Sequence, residues 1–112
     1  MAAEAGGGRA GPTTGRLSVL VIWSPRALRE VAKATAYLMD FNPRAAMVLA
    51  AGLVEAGDSL SHFPHRGRPI PNTTMRELVT AYPYIIRYRI VRQKEVRILR
   101  VRHMARRPTK RT

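Results

Sequence analysis

The sequence predicts an α+β fold of order β-α-α-β-β-β, with a helical hairpin packed on one face of a small, mainly antiparallel twisted sheet. Three observations carry this. A β-branched run opens the chain's apolar part. Two consecutive segments of helical period follow, each begun by a polar cap and a proline. The last third then holds three short β-type runs separated by turn residues.

Taken in order, Met1 to Arg16 has no apolar periodicity and much glycine, and reads as a flexible N-terminal tail. Leu17–Trp23 (LSVLVIW) is strand-like and is expected to be buried on both faces. Ser24 then Pro25 is an N-cap followed by a first-turn proline. Leu28, Val31, Ala34, Leu38 and Phe41 recur at helical spacing behind it and make one apolar stripe. Asn42-Pro43 repeats the cap grammar and opens a second helix with the stripe Ala46, Leu49, Ala50, Leu53, Ala56 and Leu60. So short a junction makes an antiparallel αα-hairpin. Phe63-Pro64 stops the second helix, and His65 to Thr74 reads as a loop. Strands are expected at about Met75–Thr80, Tyr84–Val91 and Glu95–His103, with Arg92-Gln93-Lys94 as a tight turn. Alternation sends Tyr84, Ile86, Tyr88 and Ile90 toward the helices, and Ile85, Arg87, Arg89 and Val91 to the open face. In the last strand Arg100 and Arg102 share one side. Core packing is the expected role of Tyr84 and Tyr88.

Composition narrows the function. The 112 residues suit one domain with one modest core. No apolar run approaches the roughly 18–20 residues of a membrane span, and no hydrophobic block resembles a secretory signal. With no cysteine, disulfides and thiolate chemistry are excluded, and a cytoplasmic location is expected. Twenty Lys and Arg face seven Asp and Glu, net +13. Residues 1–74 carry eight basic and five acidic groups, net +3. Residues 75–112 carry twelve and two, net +10. A segment so basic suits a polyanion or an acidic protein. His62 and His65 straddle the helix break without a supporting set of carboxylates, so no metal is expected. There is no Gly-rich phosphate loop, nucleophile elbow or paired-carboxylate site, and no cofactor is called for.

An ordered set of segments resembles a known family: W-S-P-x-A at Trp23–Ala27, N-P-x-A-A at Asn42–Ala46, Gly67-Arg68, M-R-E-L at Met75–Leu78, P-Y-I-I-R-Y at Pro83–Tyr88, and I-L-R-V-R-H-x-A-R at Ile98–Arg106. In order and spacing these are similar to the RelE/ParE toxins of bacterial type II toxin–antitoxin pairs. The toxin-like domain is residues 17–108, with 109–112 a basic tail. The resemblance implies neutralisation by a cognate antitoxin whose acidic segment folds on the toxin, and operator DNA contacted indirectly through that antitoxin. The segment is expected over the Arg87, Arg89 and Arg100 side of the sheet or along the hairpin.

The family divides in its targets. RelE-like members cut mRNA on the ribosome, and ParE-like members poison DNA gyrase. Cutting by attack of a ribose 2′-OH needs a base, an acid and cations for the phosphorane. The resemblance assigns those roles to His103, Arg106 and Arg76. Binding of antitoxin or target falls to Arg87, Arg89, Arg100, Arg102 and Arg107. Ile85 stands where cleaving members often carry arginine, and no lysine lies between Lys33 and Lys94. These departures, with the ParE-like segments, make gyrase inhibition the expected activity. A ribosome-dependent endoribonuclease is the alternative, and a non-toxic basic nucleic-acid-binding module the second alternative.

Overall fold

The computed structural model describes residues 18–81 and 83–106, the side chain of Arg106 excepted. The expectations for the tails at 1–16 and 109–112 lie outside these residues. The elements are β1 (Leu20–Trp23), α1 (Pro25–Met39), α2 (Pro43–Asp58), a 3-10 turn (Ser59–Ser61), β2 (Arg68–Pro69), β3 (Met75–Val79), β4 (Tyr84–Val91), β5 (Glu95–His103) and a second 3-10 turn (Met104–Arg106). The sheet order is β1-β5-β4-β3-β2. β1 is parallel to β5 and every other pair is antiparallel. The predicted α+β arrangement is the observed one.

Both helices begin where their caps require. The Ser24 hydroxyl accepts from Ala27 N at 3.0 Å, and Asn42 Oδ1 accepts from Ala45 N at 3.1 Å. Each bond satisfies one of the orphan donors of a first turn, and the proline at N1 has no donor to satisfy. Leu49 and Leu53 of α2 meet Ile86 and Tyr88 of β4 and Val96 and Ile98 of β5 in one core. Gly57 lets α2 approach β1: a Cβ there would lie 2.7 Å from Trp23 Cη2 and 2.9 Å from Ile98 Cδ1.

Three expectations are corrected, and one feature of the last strand was not foreseen. The first strand is not buried on both faces: Leu20 is 62% and Ile22 40% exposed. It is an edge strand with helices on one side only, so alternate residues face solvent. On α1 the buried residues are Ala27 and Val31, while Leu28 and Phe41 are exposed. The helix flanks β5, which narrows its buried stripe, and Phe41 falls past the helix end. The loop at 65–74 contains the short strand β2, paired to Arg76 and Glu77. Finally, β5 carries a bulge. Arg87 opposes Arg100 but Tyr88 opposes Ile98, so Leu99 is the extra residue. Ile98 and Val101, three apart, therefore both reach the core.

The turn between β4 and β5 has φ of 56° at Arg92 and 58° at Gln93, and Lys94 N bonds to Val91 O at 3.0 Å. Two successive left-handed residues suit a hairpin turn that favours Asn-Gly. Arg92→Asn with Gln93→Gly is expected to raise the unfolding free energy by about 1–2 kcal/mol, read from urea denaturation midpoints at constant slope.

Candidate functional site

The Tyr84 and His103 ends of β4 and β5 lie below the α1–α2 turn. β1 has already ended at the level of Ile98, so the outer edge of β5 beyond that point faces α1 instead of a strand. Ser24 Oγ donates to Leu99 O at 3.1 Å. Glu30 fills the next gap. Its Oε1 accepts from Val101 N at 2.7 Å and its Oε2 from Arg100 Nε at 2.9 Å. One carboxylate thus caps the amide freed by the bulge and turns the Arg100 guanidinium toward the helix.

Between hairpin and strand ends lies a groove of about 1080 Å³. Tyr37, Leu38, Val48 and Tyr84 give it an apolar lining, and Lys33 and Arg44 add positive charge. Tyr37 and Val48 are 66% and 53% exposed. His103 also lines the groove, edge-on to Tyr84 with centroids 5.0 Å apart. Its Nδ1 accepts from Ala105 N at 3.0 Å, which leaves the proton of the neutral ring on Nε2.

The opposite sheet face is basic but largely committed. Arg87 pairs with Glu77 at 3.2 Å, and Arg97 pairs with Glu95. Glu77 is 5% and Ile85 2% exposed, so this face is closely packed about its centre. Arg89 is exposed and Arg102 half-buried, opposite Ile85. Arg107 lies outside the described residues. The expected binding arginines therefore divide: Arg87 and Arg100 are ion-paired with Glu77 and Glu30, Arg102 is half-buried, and Arg89 is exposed at the hairpin end.

The nuclease candidates are not gathered at one point. Arg76 pairs with Tyr88, and His103 with Tyr84, from opposite sides of β4. They stand four residues apart along the strand, about 13 Å, and two strand spacings of about 4.8 Å across it. Arg76 Nη1 donates to Gly67 O at 2.6 Å and to His65 O at 3.4 Å, tying down the loop before β2. Arg106 lies in the turn after His103.

Tyr88 is a core residue with both hydroxyl valences used. It donates to Pro64 O at 2.7 Å and accepts from Gly67 N at 2.8 Å. Burial raises its pKa above the ordinary 10.0, while the Gly67 bond and the charges of Arg76 and Arg66 pull the other way. It is a phenol, not a phenolate base, at neutral pH. The folded chain holds this proton more tightly than the unfolded chain. Its contribution is intact below pH of about 10 and is lost as pH rises through the higher folded value. Tyr88→Phe is expected to cost about 1–3 kcal/mol at neutral pH, because the buried Gly67 N–H and Pro64 C=O lose their partner. The alkaline fall in stability should shrink in the same variant, measured by denaturation at pH 8 and above 10.

A family model described as the ParE toxin of the type II toxin–antitoxin system parDE matches residues 21–108. The chain belongs to the ParE toxin family. Within the wider RelE/ParE superfamily, this toxin is 44% identical over 86 residues to Toxin RelE2 of Caulobacter vibrioides, spanning 77% of this chain and 96% of that protein. Its fold matches a chain of the chromosomal ParDE TA system from P. aeruginosa at TM-score 0.68 and 22% identity, over 77% of this chain and 96% of the other. It also matches a chain of the toxin–antitoxin complex RelBE2 from Mycobacterium tuberculosis at TM-score 0.57 and 28% identity, over 77% and 98%. The ParE-family chain is thus a type II toxin. Among its described residues no helix is long and apolar enough to cross a membrane.

Sequence reading missed Glu30, Lys33, Tyr37, Arg44 and Val48. A signal existed: Lys33 and Tyr37 lie four apart on α1, beside the buried stripe. Nothing in the linear pattern says that the end of a strand seventy residues later lies against them.

Proposed function

We propose that this toxin acts by binding and inhibiting DNA gyrase, without chemistry of its own, and is neutralised by an antitoxin segment lying in the groove. The observation that carries the first part is the separation of Arg76 from His103. In-line attack on a phosphate needs base, acid and cation within hydrogen-bond reach of one reacting centre, about 3 Å from each. Here Arg76 serves two loop carbonyls, and Tyr88 is a buried phenol. The ParE family match supports the same reading.

The second part rests on the groove's chemistry. Exposed Tyr37 and Val48 offer apolar anchors, and Lys33 and Arg44 suit an acidic partner. Two of the similar folds come from systems of toxin with antitoxin. Operator DNA would then be reached through the antitoxin, in line with the family resemblance.

The test is gyrase supercoiling with purified protein, beside ribosome-programmed mRNA cleavage. Lost supercoiling with intact mRNA is the expected result. Cut mRNA with unaffected gyrase would overturn the gyrase reading and make His103 and Arg106 catalytic candidates. Unhindered growth on expression without antitoxin would favour the non-toxic module.

A further inference from the structure

The far end of the β4–β5 hairpin carries a strip of cations that the groove does not use. Arg89 and Arg97 are cross-strand partners on the open face, and Arg92 and Lys94 belong to the turn. All four are exposed. Glu95, paired with Arg97, is the one carboxylate from position 89 to 97. Among the described residues, Arg89, Arg92 and Lys94 have no side-chain ion pair or hydrogen bond.

Two features of this strip work against the stability of the free chain. Like charges face each other directly at Arg89 and Arg97, which is unfavourable across a strand pair. Arg92 and Gln93 occupy the left-handed region, where glycine and asparagine sit more easily. The facing arginines keep positive charge at the tip, and a bound anion would relieve their repulsion.

We propose that the hairpin tip binds the phosphate backbone of nucleic acid. The turn offers point charges and Gln93, with no aromatic or aliphatic anchor such as the core of a protein interface needs. Among the described residues, the exposed aliphatics of the neighbouring strand, Leu20 and Ile22, sit on β1 beyond Glu95 and Arg97. Phosphates need only the cations. The tip lies at the opposite end of β4 from the groove, about 24 Å along the strand. A protein segment in the groove and a phosphate backbone at the tip can therefore be held together.

The test uses the full chain and a fluorescein-labelled, mixed-sequence DNA duplex, with anisotropy read from 50 to 200 mM salt. Arg89→Gln/Arg92→Gln/Lys94→Gln is compared with the charge-matched Arg26→Gln/Arg29→Gln/Arg68→Gln, after thermal melts show both folded. The hairpin triple should bind about tenfold or more weakly at 0.1 M salt, and its log–log salt slope should shrink by about 2–3. The control triple should stay within about twofold of the parent. Equal losses in both triples would mean diffuse charge and overturn the proposal. So would unchanged DNA binding by the hairpin triple. Poly-glutamate bound through the hairpin in place of DNA would assign the tip to an acidic protein and overturn it as well.

Discussion

Val48→Asp combined with Tyr37→Ala is expected to weaken capture by the cognate antitoxin by about 30- to 100-fold, or about 2–3 kcal/mol. Both side chains are more than half exposed and line the groove, so their change leaves the core untouched. Tyr37 also stacks obliquely on Phe41 at 5.2 Å, which presents the ring as a rigid anchor. The aspartate adds a second penalty, since it sets a like charge against an acidic partner and would have to be desolvated. Titration calorimetry with purified antitoxin reads the affinity, and a thermal melt should move little. In cells the variant should resist neutralisation while remaining toxic. Unchanged affinity with the fold intact would place the antitoxin elsewhere, the Arg89 side of the sheet being the next surface to test.

Glu30→Ala is expected to lower the unfolding free energy by about 2–3 kcal/mol. One carboxylate accepts two charge-assisted or backbone bonds, from Arg100 Nε at 2.9 Å and Val101 N at 2.7 Å. Both donors are part-buried, so water replaces the lost acceptor only in part. Arg26, at 3.9 Å and more exposed, contributes little. Glu30→Gln separates the two functions. Its amide oxygen can still accept from Val101 N, but its NH₂ then faces Arg100 Nε, donor against donor. The glutamine variant should recover no more than about half of the loss. Urea denaturation at constant slope checks both. A neutral effect of Glu30→Ala would mean that the bulge holds its shape without the bridge.

Much of the fold was written locally. Ser24-Pro25 and Asn42-Pro43 announce the two helices because capping and proline geometry act within one turn of chain. The alternation of Tyr84, Ile86 and Tyr88 against Ile85, Arg87 and Arg89 assigns faces because a strand repeats every two residues. The last strand was harder: a bulge at Leu99 breaks that period, and only pairing with a neighbour reveals it. The same limit applied to the site. His103 was legible as a polar residue at a strand end. The use of Arg76 as a loop tie was not, since its partners are carbonyl oxygens and carry no side-chain signature.

By itself the sequence determined the fold class, the two helices, the hairpin turn, the basic C-terminal third and the superfamily. All of these rest on short-range stereochemistry, on composition or on an ordered set of motifs. The tertiary structure alone decided that β1 stops at Ile98, that Glu30 takes over the edge of β5, and that a groove opens beyond it. It also decided that Arg76 and His103 stand apart. Those outcomes depend on which backbone groups are left unpaired once strands have met, and unpaired groups exist only after the chain has closed on itself.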